Sequence, residues 1–372
     1  MTLSVVVGGG RRTREKMIMT AFRHRPKDVT ARSPQSSTPP TRIPRLEDGI
    51  VVVVVAALAL VVISGAPGQL GSDIRDAVVS SFRFMFLSPI SYVLIGAIFA
   101  LEWRFPARAE QRGFSPSVLF DTFYLVVHRP IGLILVAAAT APFRDLLDTH
   151  ADGLVVDSSR TLPMLLLLVA GVAIGDFILW FSHMVRHKVP LFWRFHMIHH
   201  SQTRLSIFTA ARDHPVDSLI ESFIMILPLY FLLPSIVEDA RALTLYGLGV
   251  TWFIRLTHTN IRTNFGPLRY LLVTPQSHRI HHSSEPEHWN SNYANIFCWD
   301  RLFGMQHPDD QSYPTTGVND PEFPEPATFS PMEFGRCFVR QMVFPFDTEA
   351  VRRATHGSPH TGEPESDRTT TV

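Results

Sequence analysis

Residues 162–200 read LPMLLLLVAGVAIGDFILWFSHMVRHKVPLFWRFHMIHH. The first half, Leu162–Phe181, is an apolar run of about the length a helix needs to cross a hydrocarbon core roughly 30 Å thick. The second half changes character at once. It carries His183 and His187, then His196, His199 and His200. A membrane-length helix that ends in histidines spaced for metal binding sets the fold expectation. We expect an all-α, polytopic transmembrane helical bundle with a His-rich cap facing the cytoplasm.

Working outward, five further apolar stretches are long enough, or nearly so, to cross: Ile50–Ala66, Phe86–Leu101, Val118–Ala141, Ser218–Val237 and Leu243–Leu256. The third of the six along the chain, Val118–Ala141, is broken by His128-Arg129-Pro130, which reads as two half-spans or a kinked helix. Either a buried polar kink satisfied by neighbouring helices or a substrate-facing group accounts for that triplet. Residues 1–48 are rich in Pro, Ser, Thr and Arg and read as a disordered basic segment. Residues 49–160 read as N-terminal membrane helices, 161–308 as the catalytic domain, and 309–372 as a polar, largely irregular tail with short ordered pieces around Phe334–Phe346. Ten basic residues lie between Arg11 and Arg45. The positive-inside rule therefore puts the N-terminus in the cytoplasm. Span parity then delivers the segments around His183–His214 and His258–His282 to one membrane face.

Composition narrows the function classes. The chain has 372 residues and a formal net charge of +1, against the basic face a nucleic-acid binder needs. Two cysteines, Cys298 and Cys337, make neither a disulfide framework nor a four-cysteine metal site. Among the basic residues only Lys16, Lys27 and Lys188 are lysines, an arginine bias that suggests a GC-rich bacterial genome and hence an inner membrane. Histidine is the outlier. There are 17, and ten of them fall between His183 and His282.

Those ten form clusters: His183 with His187; His196, His199 and His200; His214 and His258; and His278, His281 and His282. On a helix, residues three and four apart share a face, so each box is a ready imidazole face. Imidazole suits zinc, copper, iron and nickel. Ten rings exceed what one ion holds, and two metals is the economical count. A zinc hydrolase needs a general base, and in the His-Glu-x-x-His pattern it follows the first histidine. Here Met184 occupies that place. A redox-active pair at a membrane suggests iron that activates O₂ against the C–H bonds of a lipid. The rival reading is a non-catalytic metal transporter or sensor, whose ligands usually lie near the midplane rather than at span ends. A membrane zinc hydrolase is the third.

The boxes resemble those of the fatty acid hydroxylase / sterol desaturase superfamily of integral-membrane di-iron enzymes. The resemblance covers about Leu162–Gly304. It rests on His183 and His187, on Trp193-Arg194-Phe195-His196-Met197-Ile198-His199-His200-Ser201, on His214-Pro215, on His258 and Asn260, and on His278, His281 and His282. Asn292-Tyr293 and Trp299-Asp300-Arg301-Leu302-Phe303-Gly304 complete it. It departs at Arg186, Asp217, Ala294 and Met305, none of which removes a histidine. No His-Pro-Gly-Gly haem motif of a fused cytochrome b5 domain is present.

The resemblance implies two iron ions, O₂ as co-substrate, and ten metal ligands: His183, His187, His196, His199, His200, His214, His258, His278, His281 and His282. Asp217 and Asn260 would orient ligand rings. Asp176 would orient one or would join helices near the membrane surface. Trp299 and Asp300 would brace the region, and Cys298 would be a small buried residue. His24, His128, His150, His288, His307, His356 and His360 have no spacing partner and are read as non-ligands. The substrate class is a membrane lipid: a sterol or hopanoid, a fatty acyl lipid, an ether lipid or a carotenoid. The electrons would come from a separate reductase, ferredoxin or cytochrome.

Overall fold

The structure, a computed structural model, describes residues 88–111, 113–150, 164–232 and 240–355. Eleven α-helices lie among them. They are α1 (Pro89–Arg104), α2 (Pro116–Phe123), α3 (Arg129–His150), α4 (Met164–Lys188), α5 (Pro190–His200), α6 (Pro215–Leu232), α7 (Ala240–Thr257), α8 (Pro275–His281), α9 (Trp299–Leu302), α10 (Pro331–Val343) and α11 (Thr348–Ala354). Among the described residues there is no strand. Isolated bridges join Pro106 to Ile261, Leu272 to Phe297 and Ser283 to Thr316.

Helix starts follow local chemistry. Six helices open on proline, whose fixed φ and missing N–H suit the first turn. Ser115 caps α2 by accepting from the Val118 N–H. Thr274 and Ser277 form a reciprocal capping box on α8, the helix of the last histidine box.

Among the described residues two helical runs are long and apolar enough to cross a membrane: Pro116–Leu147, of 32 residues, and Val169–Lys188, of 20. The first passes from α2 to α3 through one π-helical turn, Tyr124–His128, so the expected break at His128-Arg129-Pro130 is a local widening of a continuous helix. Helix α1 has 16 residues, about 24 Å at 1.5 Å per residue, short of the hydrocarbon thickness. Helices α6 and α7 have 18 each. The expected span Ile50–Ala66 lies outside the described residues.

Helix α4 packs against α5 and α6, α6 also packs on α3, and α7 contacts α8. The short ordered pieces expected around Phe334–Phe346 correspond to α10 and the 3-10 turn after it, and α11 follows them. Helices α10 and α11 and the 3-10 turn between them fill one core with Phe120, Tyr124, Met197 and Ile198, through Phe334, Cys337, Met342, Phe344, Ala350, Val351 and Ala354. Phe334, Cys337, Phe338, Gln341 and Met342 form a stripe at helical spacing. The surrounding Pro, Thr and Glu masked that stripe in the overall composition.

Candidate metal centre

Nine of the ten expected ligands gather in two adjacent pockets. His183, His187, His196, His200 and His281 form one, and His199, His258, His278 and His282 form the other. Within each, the ligand nitrogens lie within 4.8 Å of one another. The boxes are split between them. The pair His196 and His200, four apart, enters the five-histidine pocket, while His199 turns to the other. The last box does the reverse: His278 and His282 go to the four-histidine pocket and His281 to the five. Successive helical residues point about 100° apart, so neighbours cannot share a pocket. Each three-histidine box is therefore split into a pair plus one. The pockets touch, with the His200 and His282 rings stacked at 4.3 Å.

Backbone carbonyls and one carboxylate fix the rings. His183 Nδ1 donates to the Tyr293 carbonyl at 2.7 Å and His281 Nδ1 to that of Ser291 at 2.9 Å. Asn290 and Asn292 both take φ of 59°, a left-handed conformation asparagine tolerates, in the segment that supplies these two acceptors. His199 Nδ1 donates to the Arg212 carbonyl at 3.1 Å and His258 Nδ1 to that of Ile254 at 2.7 Å. His196 Nδ1 donates to Asp217 Oδ2 at 2.9 Å, and that oxygen also accepts from Arg186. A carbonyl only accepts, so Nδ1 must carry the proton and Nε2 is left with a lone pair.

Those Nε2 atoms converge. His281 and His183 approach to 3.1 Å, His258 and His199 to 3.2 Å, and His278 and His258 to 3.0 Å. Two nitrogens about 2.1 Å from one ion and at right angles are about 3.0 Å apart. The Nε2 atoms of His196 and His200 are buried with no protein partner. These rings fit a metal. Burial first, and then the neighbouring rings, hold the His200, His278 and His282 imidazoles well below their usual pKa, and burial takes His281 down to about 4. The rings are neutral, as ligands must be. Both pockets are all-imidazole, a donor set that suits iron, zinc, copper or nickel. A cleft lined by Trp193, Trp289, Ser283, Asn290 and Thr355 opens onto His187, His200 and His281.

The remaining expectations divide. Asp217 stands beside the His196 ring. His214 does not join either pocket: its Nδ1 accepts from the Val216 N–H at 3.1 Å and its Nε2 donates to the Met342 carbonyl at 3.0 Å. Neither nitrogen is left for a metal. Asp176 touches no histidine. It accepts from the Ile296 and Phe297 N–H groups and from Trp299 Nε1, tying α4 to the loop before α9. Asn260 accepts from the Arg108 N–H and from Arg279 and donates to the Arg108 carbonyl, bracing a loop rather than a ring. Asp300 accepts from Trp180 Nε1 and the Ala294 N–H. Cys298 is half-buried and free. His128 packs on Tyr124 and Phe338 with its Nδ1 3.1 Å from Asp213, and His288 and His307 pair edge to face. His24, His356 and His360 lie outside the described residues.

Sequence reasoning missed Asp121 and Arg212, both fully buried and ion-paired at 2.6 Å. Asp121 carried a signal, since a carboxylate inside an apolar stretch is a functional flag. Arg212 carried none.

Fold and site define a class: a helical histidine-box protein with two adjacent all-imidazole pockets. Residues 168–305 match the fatty acid hydroxylase family, and this part of the chain is a fatty acid hydroxylase domain. The chain is 36% identical over 149 residues to ornithine lipid hydroxylase OlsE of Rhizobium tropici, covering 39% of this chain and 43% of that protein. It is 33% identical over 135 residues to alkylglycerol monooxygenase of Xenopus tropicalis, covering 36% and 29%. The human alkylglycerol monooxygenase is 34% identical over 130 residues, covering 35% and 28%. The chain thus spans less than half the length of the curated relatives it matches. No solved structure matches it.

Proposed function

We propose that the protein is a membrane-bound di-iron oxidoreductase that hydroxylates or desaturates a lipid with O₂. The two adjacent all-imidazole pockets carry the reading. His183, His187, His196, His200 and His281 would hold one ion, and His199, His258, His278 and His282 the other. When bound, the iron pair supplies the one-electron chemistry by which O₂ attacks an unactivated C–H bond.

The chain's own residues supply the rest. Carbonyls of Tyr293, Ser291, Arg212 and Ile254 hold Nδ1 protons and aim the Nε2 lone pairs inward. Burial keeps bulk water from the rings. Helices Pro116–Leu147 and Val169–Lys188, both long and apolar enough to cross, would anchor the site at a bilayer, with the pockets on the cytoplasmic face as the basic N-terminal segment suggests. The named relatives act on ornithine lipids and alkylglycerols, so a polar lipid is the first substrate class to try, ahead of sterols, hopanoids and carotenoids. A separate reductase, ferredoxin or cytochrome supplies the electrons.

The test is expression in a host supplied with ornithine lipid, alkylglycerol or other candidates, followed by mass spectrometry of lipid extracts. A product heavier by one oxygen atom, or lighter by two hydrogens, should appear. It should be absent without O₂ and in His199→Ala. An unchanged lipid profile with altered metal flux across the membrane would favour a transporter instead.

A further inference from the structure

Arg212 is a fully buried guanidinium held on several sides. Its Nε donates to Asp121 Oδ1 at 2.6 Å. Its Nη1 donates to Ser201 Oγ at 3.0 Å and to Glu325, and its Nη2 to Glu325 Oε2 at 3.3 Å. Asp121 Oδ2 also accepts from Gln202 Nε2 at 2.6 Å and Thr209 Oγ1 at 2.8 Å. One carboxylate therefore ties both ends of the 201–212 loop to α2. Glu325 is fixed in turn by Ser117 Oγ and by Gln341 Nε2 of α10, whose Oε1 accepts from Tyr124.

We propose that Arg212, clamped between Asp121 and Glu325, is a positioning residue for the four-histidine pocket and acts through its own carbonyl on His199. The proposal rests on the reading of that pocket as a metal site. His199 is the one member of its box sent to that pocket, and it sits alone there from α5. Its tautomer and ring angle depend on the Arg212 carbonyl, 3.1 Å from Nδ1. A guanidinium held by these partners limits how far the backbone of the same residue, and with it that carbonyl, can move. The two clamping carboxylates lie 91 positions before and 113 positions after Arg212, and both fall outside the matched residues 168–305. Segments before and after the family domain thus converge on one of its ligands. The five-histidine pocket has a different brace, the Asp217–Arg186–Glu221 group. The clamp should therefore act on one pocket and not both.

The experiment uses the full chain in detergent or nanodiscs, loaded with ferrous iron, and counts ions retained against a graded chelator. It compares wild type with Glu325→Ala, Glu325→Gln and Asp121→Asn, and records the melting temperature of each metal-free protein and the Mössbauer spectrum of each loaded one. Wild type should retain two ions. Glu325→Ala should hold one of them about 10–100-fold more weakly, the usual cost of losing a brace behind a ligand, with the other unchanged and one iron signal lost. Glu325→Gln, which still offers the guanidinium an acceptor, should fall between. Retention of both ions at wild-type affinity in Glu325→Ala and Asp121→Asn overturns the proposal. So does equal weakening of both ions in step with a lower melting temperature, the mark of a merely structural salt bridge. A wild-type protein that binds fewer than two ions overturns the metal-site reading itself.

Discussion

The five-histidine pocket and the four-histidine pocket draw on the same two boxes but are braced by different chemistry. In the first, His183 and His281 lean on peptide carbonyls, but His196 leans on Asp217, a buried carboxylate that also holds Arg186. In the second, His199 and His258 lean on peptide carbonyls, and the loop bearing one of them is set by the Arg212 clamp. A carboxylate behind an imidazole raises its basicity more than a carbonyl does. The cleft beside Trp193 and Trp289 reaches His187, His200 and His281 of the five-histidine set. Two ions held here would be close but unequal neighbours.

The largest effects should come from removing a ring. His200→Ala should empty the five-histidine pocket and His282→Ala the four-histidine pocket, each leaving the other ion in place. Either change should abolish lipid oxidation. Metal counting beside product analysis checks this, and loss of both ions from each variant would merge the two pockets into one cooperative site.

Next in size is the carboxylate brace. Asp217→Asn should weaken the ion of the five-histidine pocket by about 10–100-fold and leave the other untouched. Chelator titration reads the difference. Equal weakening would mean that the braces do not separate the pockets.

Asp176→Ala sharpens the comparison by touching neither pocket directly. It strips the acceptor from two buried N–H groups and an indole. A stability loss of about 1–3 kcal/mol for an orphaned buried donor is expected in denaturant melts, with both ions still bound.

The smallest effect should be that of His214→Ala. Both its nitrogens serve backbone bonds, so the change should cost about 1 kcal/mol of stability and no metal. An ion lost from this variant would restore His214 to the ligand set.

What could be read ahead of the structure was short-range. The i, i+3, i+4 spacing of the boxes depends only on helix geometry, and it marked eight of the nine residues that gather; His258 was reached only through the resemblance. Spacing separates neighbouring rings of a box, but which rings of α5 meet which rings of α8 depends on the tertiary fold, and spacing holds no information about that. His214 misled because its Met342 partner is 128 positions away. Asp176 and Asn260 misled for the same reason, each polar group meeting backbone from another part of the fold. The apolar runs gave helix, but crossing a bilayer also requires length, and α1 falls short while Pro116–Leu147 and Val169–Lys188 do not. Helix α10 was foreseen only as short ordered pieces around Phe334–Phe346, and α11 not at all, because their few apolar residues are diluted by the prolines and acidic residues around them.

The most direct measurement is anomalous X-ray scattering at the iron edge from crystals of the iron-loaded protein. The account predicts two peaks, one within bonding distance of the Nε2 atoms of His183, His196 and His281 and one within bonding distance of those of His199, His258 and His278. A single peak, or a peak beside His214, would contradict it.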